Sequence, residues 1–189
     1  MYASLRQKVL RGTGLKTVVL AASVTQKGNR NSRPLVCLLD SGADDDILFL
    51  PEHEVDNYDC TSLAHPNVWS TSNGSFRTHE VAKLNVLLPE YSQSKIMSAT
   101  ADVRRIKSKD EVKYDAIIGI KTLNKWKVNM DFENKELRID GLTRPMKDKS
   151  VFENPLDIHN IYNEALEPTS TKEETDRAIE IDGKNRKQF

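Results

Sequence analysis

The chain has 189 residues, with 28 basic and 28 acidic side chains and a formal net charge of zero. Such a balance excludes a global field that would attract nucleic acid or an anionic membrane surface. Its two cysteines, Cys37 and Cys60, form neither a metal-spaced pair nor a disulfide framework, which favours a reducing, cytoplasmic setting. No run of about 18 apolar residues could span a bilayer, so no membrane partner is predicted.

The first part of the chain predicts strands joined by turns. Residues 1–14 form an N-terminal extension that lacks the uninterrupted apolar segment of a signal peptide. Two apolar runs, 15–24 and 34–39, flank a Gly/Asn/Ser-rich turn and are typical of paired strands. The second run ends in the small and acidic stretch 40–46, which we interpret as a tight turn.

The middle of the chain predicts a loop, a hairpin and a half-buried strand. Residues 51–66 are polar with little periodicity, which indicates a connecting loop with a short helical turn. Residues 68–81 place Trp69 and Phe76 on either side of a Ser-Asn-Gly-Ser tip, which predicts a protruding β-hairpin. Residues 82–88 alternate in polarity, as a strand covered on one face does.

The remaining elements complete an all-β prediction. They are a strand over 95–103, a strand over 114–119, a short helix over 120–126 and a terminal hairpin up to residue 140. Seven or eight short strands and one helix indicate a closed, barrel-like domain over residues 15–142. Residues 143–189 are rich in charged residues, Asn and Pro, and predict a flexible linker with a marginal helix over 171–181.

Asp40 carries the chemistry that the sequence indicates, because an apolar strand delivers its carboxylate to a tight turn. A single buried carboxylate would take up a proton, whereas two held close together share one and provide one base and one acid. Such a pair can activate water for attack on a peptide carbonyl. Gly42 permits close approach of the backbone, and the Ser41 hydroxyl can bond backbone across two such turns.

Only one Asp-Ser/Thr-Gly turn occurs in the chain. Two other Asp-Gly sequences occur, at Asp140 and Asp182, but neither has a Ser or Thr between its Asp and its Gly. One chain therefore supplies half of a site, and a two-fold axis between two copies of Asp40 would supply the other half. Since closed two-fold dimers are the commonest oligomers, a homodimer is predicted as a requirement of the mechanism.

Residues 39–45, Leu-Asp-Ser-Gly-Ala-Asp-Asp, resemble the active-site signature of the retropepsins. Residues 115–119, Asp-Ala-Ile-Ile-Gly, resemble the second motif of that family. The predicted hairpin resembles the retropepsin flap, and residues 76–91 resemble proteases of gypsy-type LTR retrotransposons. The resemblance extends over about residues 15–140.

This resemblance implies an all-β, retropepsin-like closed barrel with one short helix and a polar C-terminal linker toward a reverse transcriptase. It implies a homodimeric aspartic endopeptidase that cleaves a Gag-Pol-like polyprotein, in the cytoplasm or in virus-like particles, without a metal or other cofactor. The implied site comprises the catalytic carboxylate, the turn that carries it and the substrate contacts: Asp40; Ser41, Gly42 and Ala43; Asp44, Asp45, Gly74 and Ile117.

At one position the chain departs from the family. Where an Arg usually follows the glycine of the second motif, this chain has Ile120-Lys121, so the expected ion pair with Asp44 is missing. Lys121 is a candidate substitute without the planar fork of Arg. Two hypotheses therefore stay open: an active peptidase, or a weak or inactive module of the same fold that binds peptides or acts as a spacer in a decayed element.

Other ligands and roles are not predicted. The four histidines have no helical i, i+4 spacing and no cysteine partners, so no metal site is indicated. The basic stretch around Arg104 is interrupted by acidic residues, which favours a solvated loop over a nucleic-acid patch. Trp69 and Trp126 are interpreted as packing residues.

Overall fold

The fold consists mainly of short strands. The computed structural model describes residues 15–24, 34–71, 74–92, 94–152 and 154–166. In chain order the strands are β1 Leu15–Lys16, β2 Val18–Ser23, β3 Leu35–Leu39, β4 Asp46–Pro51, β5 Cys60–Thr71, β6 Gly74–Leu87, β7 Met97–Ile106, β8 Ala116–Ile118, β9 Asn129–Asp131, β10 Glu136–Ile139, β11 Leu142–Pro145 and β12 Lys147–Asp148. The helices are α1 Ile120–Lys125 and α2 Pro155–Leu166, with 3-10 turns at Glu52–Asn57, Lys109–Glu111 and Lys149–Phe152.

Six strands close into a ring of backbone hydrogen bonds. Their order is β2-β3-β8-β4-β7-β6, and β2 pairs again with β6 at Ala22–Leu87 and Ser23–Val86. The β3–β8 and β4–β7 pairs are parallel and the other pairs of the ring are antiparallel. The prediction of an all-β fold is confirmed, and its sheet is closed as a ring.

The interior of the ring holds the main apolar core. Ala82, Leu84 and Val86 are at most 1% exposed, so the predicted alternation is confirmed for residues 82–86. Leu87, on the other face, is buried as well, because it packs in the cluster that contains Tyr162. Every residue of β2 is buried, because this strand is covered on both faces. Its outward residues Leu20 and Ala22 form a second cluster with residues from other parts of the chain.

The C-terminal part of the described chain contributes that second layer. The sequence predicts a linker from residue 143, whereas β11 pairs with β10, β12 pairs with β1, and Tyr162 of α2 is buried against Leu20 and Leu87. A segment with few apolar residues becomes ordered here because an existing sheet supplies the apolar surface that it covers. The turn and helix predicted over 26–33 and 171–181 lie outside the described residues. Within the described ranges, neither α-helix is long and apolar enough to cross a bilayer.

β5 is the edge strand of the large sheet. The sequence predicts a loop with a helical turn over 51–66; the 3-10 turn is present, but β5 already begins at Cys60. Its residues show no alternation because most of them are exposed on both faces. The register against β6 shifts between Ser62 and Asn67, and Pro66 lies in this irregular stretch. A strand tolerates proline there because an edge or a bulge leaves backbone N–H groups unpaired.

Candidate active site

Asp40 lies directly after β3, and hydrogen bonds hold its backbone on both sides. Its N–H donates to the Ile118 carbonyl of β8 at 2.9 Å, and its carbonyl accepts from the Ala43 N–H at 3.2 Å. The carboxylate oxygen Oδ1 accepts from the Gly42 N–H at 2.8 Å. The orientation of this half-buried carboxylate is therefore set by its own turn.

A threonine outside the predicted site supports the end of β3. The Leu39 N–H donates to the Thr17 carbonyl at 2.7 Å, and Thr17 Oγ1 donates to the Leu39 carbonyl at 2.8 Å. Both bonds act on the residue immediately before Asp40. The sequence did not single out Thr17, because its isolated hydroxyl has no motif around it.

Gly119 explains why the two motifs belong together. A Cβ atom at this position would lie 2.5 Å from the Asp45 carbonyl oxygen and 2.8 Å from that of Ala43. The Ile120 N–H donates to the same Ala43 carbonyl at 2.8 Å. The turn that carries Asp40 thus rests directly on the backbone of the second motif, and only glycine leaves room for it.

Asp46 is a buried carboxylate that the sequence analysis missed. Its Oδ1 accepts from the Gly119 N–H at 2.7 Å, and its Oδ2 accepts from Thr122 Oγ1 at 2.5 Å. Burial raises the pKa of Asp46 above the ordinary value, and the hydrogen bonds from Thr122 and Gly119 oppose this shift without cancelling it. Asp46 therefore ties the acidic turn to the start of α1. The only signal in the sequence was its place in an Asp-Asp-Asp run.

Lys121 pairs with a different acid from the one that the sequence analysis considered. Its Nζ lies 2.6 Å from Asp45 Oδ1, and both side chains are exposed. Such pairs contribute little to stability because solvent screens them. In this chain the buried Asp46, and not the exposed lysine, makes the internal connection between the turn and the second motif.

The raised pKa of Asp46 predicts a pH-dependent effect of Asp46→Asn. The folded protein holds the proton of Asp46 more tightly than the unfolded chain, so this carboxyl favours folding most below pH 3.8 and loses that contribution as pH rises through the raised pKa. An asparagine can still accept from Gly119 and donate to Thr122. The free energy of unfolding of the variant, relative to the native chain, should therefore increase with pH above 3.8 and then level off.

Urea unfolding at a series of pH values measures this difference. Asp131→Asn is the control of opposite sign, because hydrogen bonds from the Asn134 backbone and side chain lower the pKa of Asp131. That variant should lose stability relative to the native chain as pH rises. A difference for Asp46→Asn that stays constant with pH would contradict the expectation.

A cleft of about 630 Å³ lies beside the turn. Of the predicted site residues, those that line it are Asp40, Gly42, Ala43, Asp44, Asp45 and Ile117. Ser41 is exposed and does not line it, and Gly74 lies in the hairpin with a φ of +122°. The structure thus brings six of the eight predicted residues to one cleft, and the individual roles of all eight stay predictions.

Strand β5 of the β5–β6 hairpin also lines the cleft, with Asn67 and Trp69 among its residues. The Trp69 ring lies parallel to that of Phe76, with centroids 6.1 Å apart, and the Arg104 guanidinium lies 4.0 Å from the Phe76 centroid. Trp126 is a core residue, as predicted. Trp69 packs as predicted but also faces the cleft.

A carboxylate of the sheet binds these two residues of the hairpin. Asp102 on β7 accepts from Asn67 Nδ2 at 2.9 Å through Oδ1 and from Trp69 Nε1 at 2.8 Å through Oδ2. Asp102 also lines the cleft. The sequence analysis treated it only as an acidic neighbour of the basic stretch, because its two partners are more than 30 positions away.

The cysteines do not offer a nucleophile at this site. Burial raises the pKa of the Cys37 thiol to about 12, so the reactive thiolate is scarce near neutral pH. Burial also raises the pKa of Cys60, which does not line the cleft. Neither cysteine is therefore a candidate nucleophile for the cleft, which four carboxylates line: Asp40, Asp44, Asp45 and Asp102.

Comparison with known proteins gives structural likeness only. No protein-family model matches the chain, and no curated protein matches its sequence. One similar solved structure is the retroviral protease-like domain of Ddi1 from Leishmania major, with a TM-score of 0.47, 15% identity, and coverage of 71% of this chain and 96% of that one. Another is Lpg0085, a protein with unknown function (DUF785) from Legionella pneumophila, with a TM-score of 0.34, 16% identity, and coverage of 60% and 87%. At these identities the likeness concerns the course of the backbone and not the chemistry.

Proposed function

We propose that the chain is one subunit of a homodimeric aspartic endopeptidase, with one carboxyl group from Asp40 of each copy. The observation that carries the proposal is the placement of Asp40. Its half-buried carboxylate is oriented by the Gly42 N–H and lines a cleft between the turn, Ile117 and the β5–β6 hairpin. This is the arrangement that the Asp-Ser-Gly and Ile-Ile-Gly motifs lead one to expect.

Two of the three other carboxylates that line the cleft have partners of their own. Asp45 pairs with Lys121, and Asp102 accepts two hydrogen bonds from the hairpin. The chain has a single Asp-Ser-Gly turn, so we assign the second member of a proton-sharing pair to Asp40 of another copy. In the dimer the ionised member accepts a proton from water, and the neutral member protonates the oxygen of the attacked carbonyl. Water is the nucleophile and adds to the carbonyl to give a tetrahedral diol that is not bonded to the protein. This diol collapses with cleavage of the C–N bond, and the leaving nitrogen takes up the proton that the first carboxylate accepted from water.

An extended peptide is the proposed substrate. It would lie between the hairpin and the floor of the cleft, recognised by backbone hydrogen bonds and by pockets for alternate side chains. The sequence resemblance to gypsy-type proteases supports a Gag-Pol-like polyprotein as the natural substrate.

A peptide-library digest read by mass spectrometry tests the proposal, together with sedimentation of the same samples. We expect a dimer at micromolar concentration, and cleavage whose rate per chain rises with concentration until the dimer is fully formed. If peptides stay intact where sedimentation shows a dimer, the peptidase proposal fails. Fluorescence anisotropy with the same peptides would then test the peptide-binding alternative.

A further inference from the structure

Asp102 is a buried acid whose partners both come from the hairpin. The residue is 7% exposed, and no described Lys, Arg or His forms an ion pair with it. Its two carboxylate oxygens each accept one hydrogen bond, from Asn67 and from Trp69. Both bonds join β5 to β7, so this contact fastens the hairpin to β7.

The geometry of β5 makes both bonds possible at once. Asn67 and Trp69 are two positions apart, so they lie on the same face of the strand. Trp69 is held further by the parallel ring of Phe76. The indole therefore keeps a defined position in the lining of the cleft, to which Asp40 also belongs.

One group in the same part of the hairpin opposes this arrangement. Thr78 stands opposite Asn67 in the register of β5 and β6 and is 1% exposed. Its Oγ1 is buried and has no hydrogen-bond partner among the described groups. A buried hydroxyl without a partner destabilises the state that buries it. The fastened hairpin thus contains two favourable contacts and one unfavourable group.

We infer that Asp102 is a positioning residue, which acts through Asn67 and Trp69 to hold the hairpin in place before substrate binds. The inference rests on the proposed function in that it concerns substrate binding at the same cleft. If the hairpin is already ordered, the binding free energy of the peptide does not include the entropy loss of ordering it. Loss of the contact should therefore weaken substrate binding and leave the chemical step unchanged.

Kinetics of hairpin variants test this role with a peptide found in the library digest. Asp102→Leu removes both acceptors, and we expect KM to rise about tenfold with kcat within about twofold. Asp102→Asn keeps an acceptor for Trp69, and Trp69→Phe removes only the N–H donor; both should raise KM by less. Thr78→Val removes the unpartnered hydroxyl and should lower KM. Glu80→Gln on β6, at the exposed ion pair with Arg105 of β7, is the matched control and should leave KM unchanged.

Fluorescence gives a second measurement that needs no catalysis. In a Trp126→Phe background Trp69 is the only tryptophan of the full chain. Addition of Asp102→Leu should increase quenching of Trp69 by acrylamide, and addition of Asp102→Asn should increase it less. Circular dichroism shows whether each variant is folded. If Asp102→Leu is unfolded, the kinetic test uses Asp102→Asn and Trp69→Phe instead.

The two measurements separate the possible failures. Quenching that does not change in Asp102→Leu or Asp102→Asn would overturn the contact itself, whatever the activity. A fall in kcat at unchanged KM would overturn the positioning role. If neither the native chain nor any variant cleaves a peptide, the proposed function fails. The quenching result then still decides whether Asp102 holds the hairpin.

Discussion

Asp40→Asn should reduce kcat/KM for peptide hydrolysis by about 10²- to 10⁴-fold, the range expected when a general acid–base group is removed. Asparagine has the same shape and can still accept the hydrogen bond from the Gly42 N–H, so the turn should persist. What the amide cannot do is receive a proton from water or hold one in common with a second carboxyl. Steady-state kinetics measure the loss, and urea unfolding verifies that the fold is retained.

Mixing the two proteins tests the shared site directly. With a tenfold excess of Asp40→Asn chains that exchange freely, most native chains sit in mixed dimers, and the rate per native chain should fall about tenfold by mass action. The inert chain is the same size and shape, so crowding or adsorption would affect both partners equally. A rate that is insensitive to the excess would mean that one copy works alone, contrary to the proposal.

Gly119→Ala should destabilise the fold by about 3 kcal/mol or more, at or above the upper end of the range for an overpacked interior. The added Cβ would lie 2.5 Å from the Asp45 carbonyl oxygen and 2.8 Å from that of Ala43. Both neighbours are backbone atoms, which cannot rotate away as a side chain can. Relief therefore requires the acidic turn to move off the second motif, and Asp40 would move with it. Urea or thermal unfolding measures the loss.

Gly42→Ala is the matched comparison. A Cβ there would meet only Asp40 Oδ1, at 3.2 Å, and the backbone at Gly42 is not among the described positions with positive φ. Stability should change little, whereas hydrolysis should fall because the carboxylate is displaced. Equal stability losses for the two substitutions would contradict the close approach of turn and motif.

Most of the fold prediction rests on the alternation of apolar and polar residues along the strands. It identifies Ala82, Leu84 and Val86 as inward residues because β6 has one covered face there. The same reasoning fails for β2 and α2, which cover each other through Leu20 and Tyr162. Burial of that kind depends on which distant segments meet, and a local pattern does not contain this information. A linker was therefore predicted where the structure has an additional layer.

Short motifs likewise predict one part of the candidate site and not the other. Residues that belong to short motifs, such as Asp40 and Ile117, were predicted together and lie together in the cleft. The burial of Asp46 and Asp102 is not predictable from their neighbours, because Asp46 lies in an acidic run and Asp102 beside basic residues, where carboxylates are usually exposed. Their burial results from partners far away in the chain. Lys121 was recognised as a substitute, but the choice between neighbouring acids depends on side-chain directions in the folded turn.

The irregular edge of β5 has a consequence for solubility at high concentration. An edge strand of 12 residues, whose outer side pairs with no other described strand, is a template on which a second molecule could add its own strand, the first step of edge-to-edge aggregation. Pro66 lacks the N–H that such a ladder requires, and the register shift beside it twists the edge away from a flat partner. Pro66→Thr would restore a regular template, so light scattering during storage should reveal oligomers that the native chain does not form.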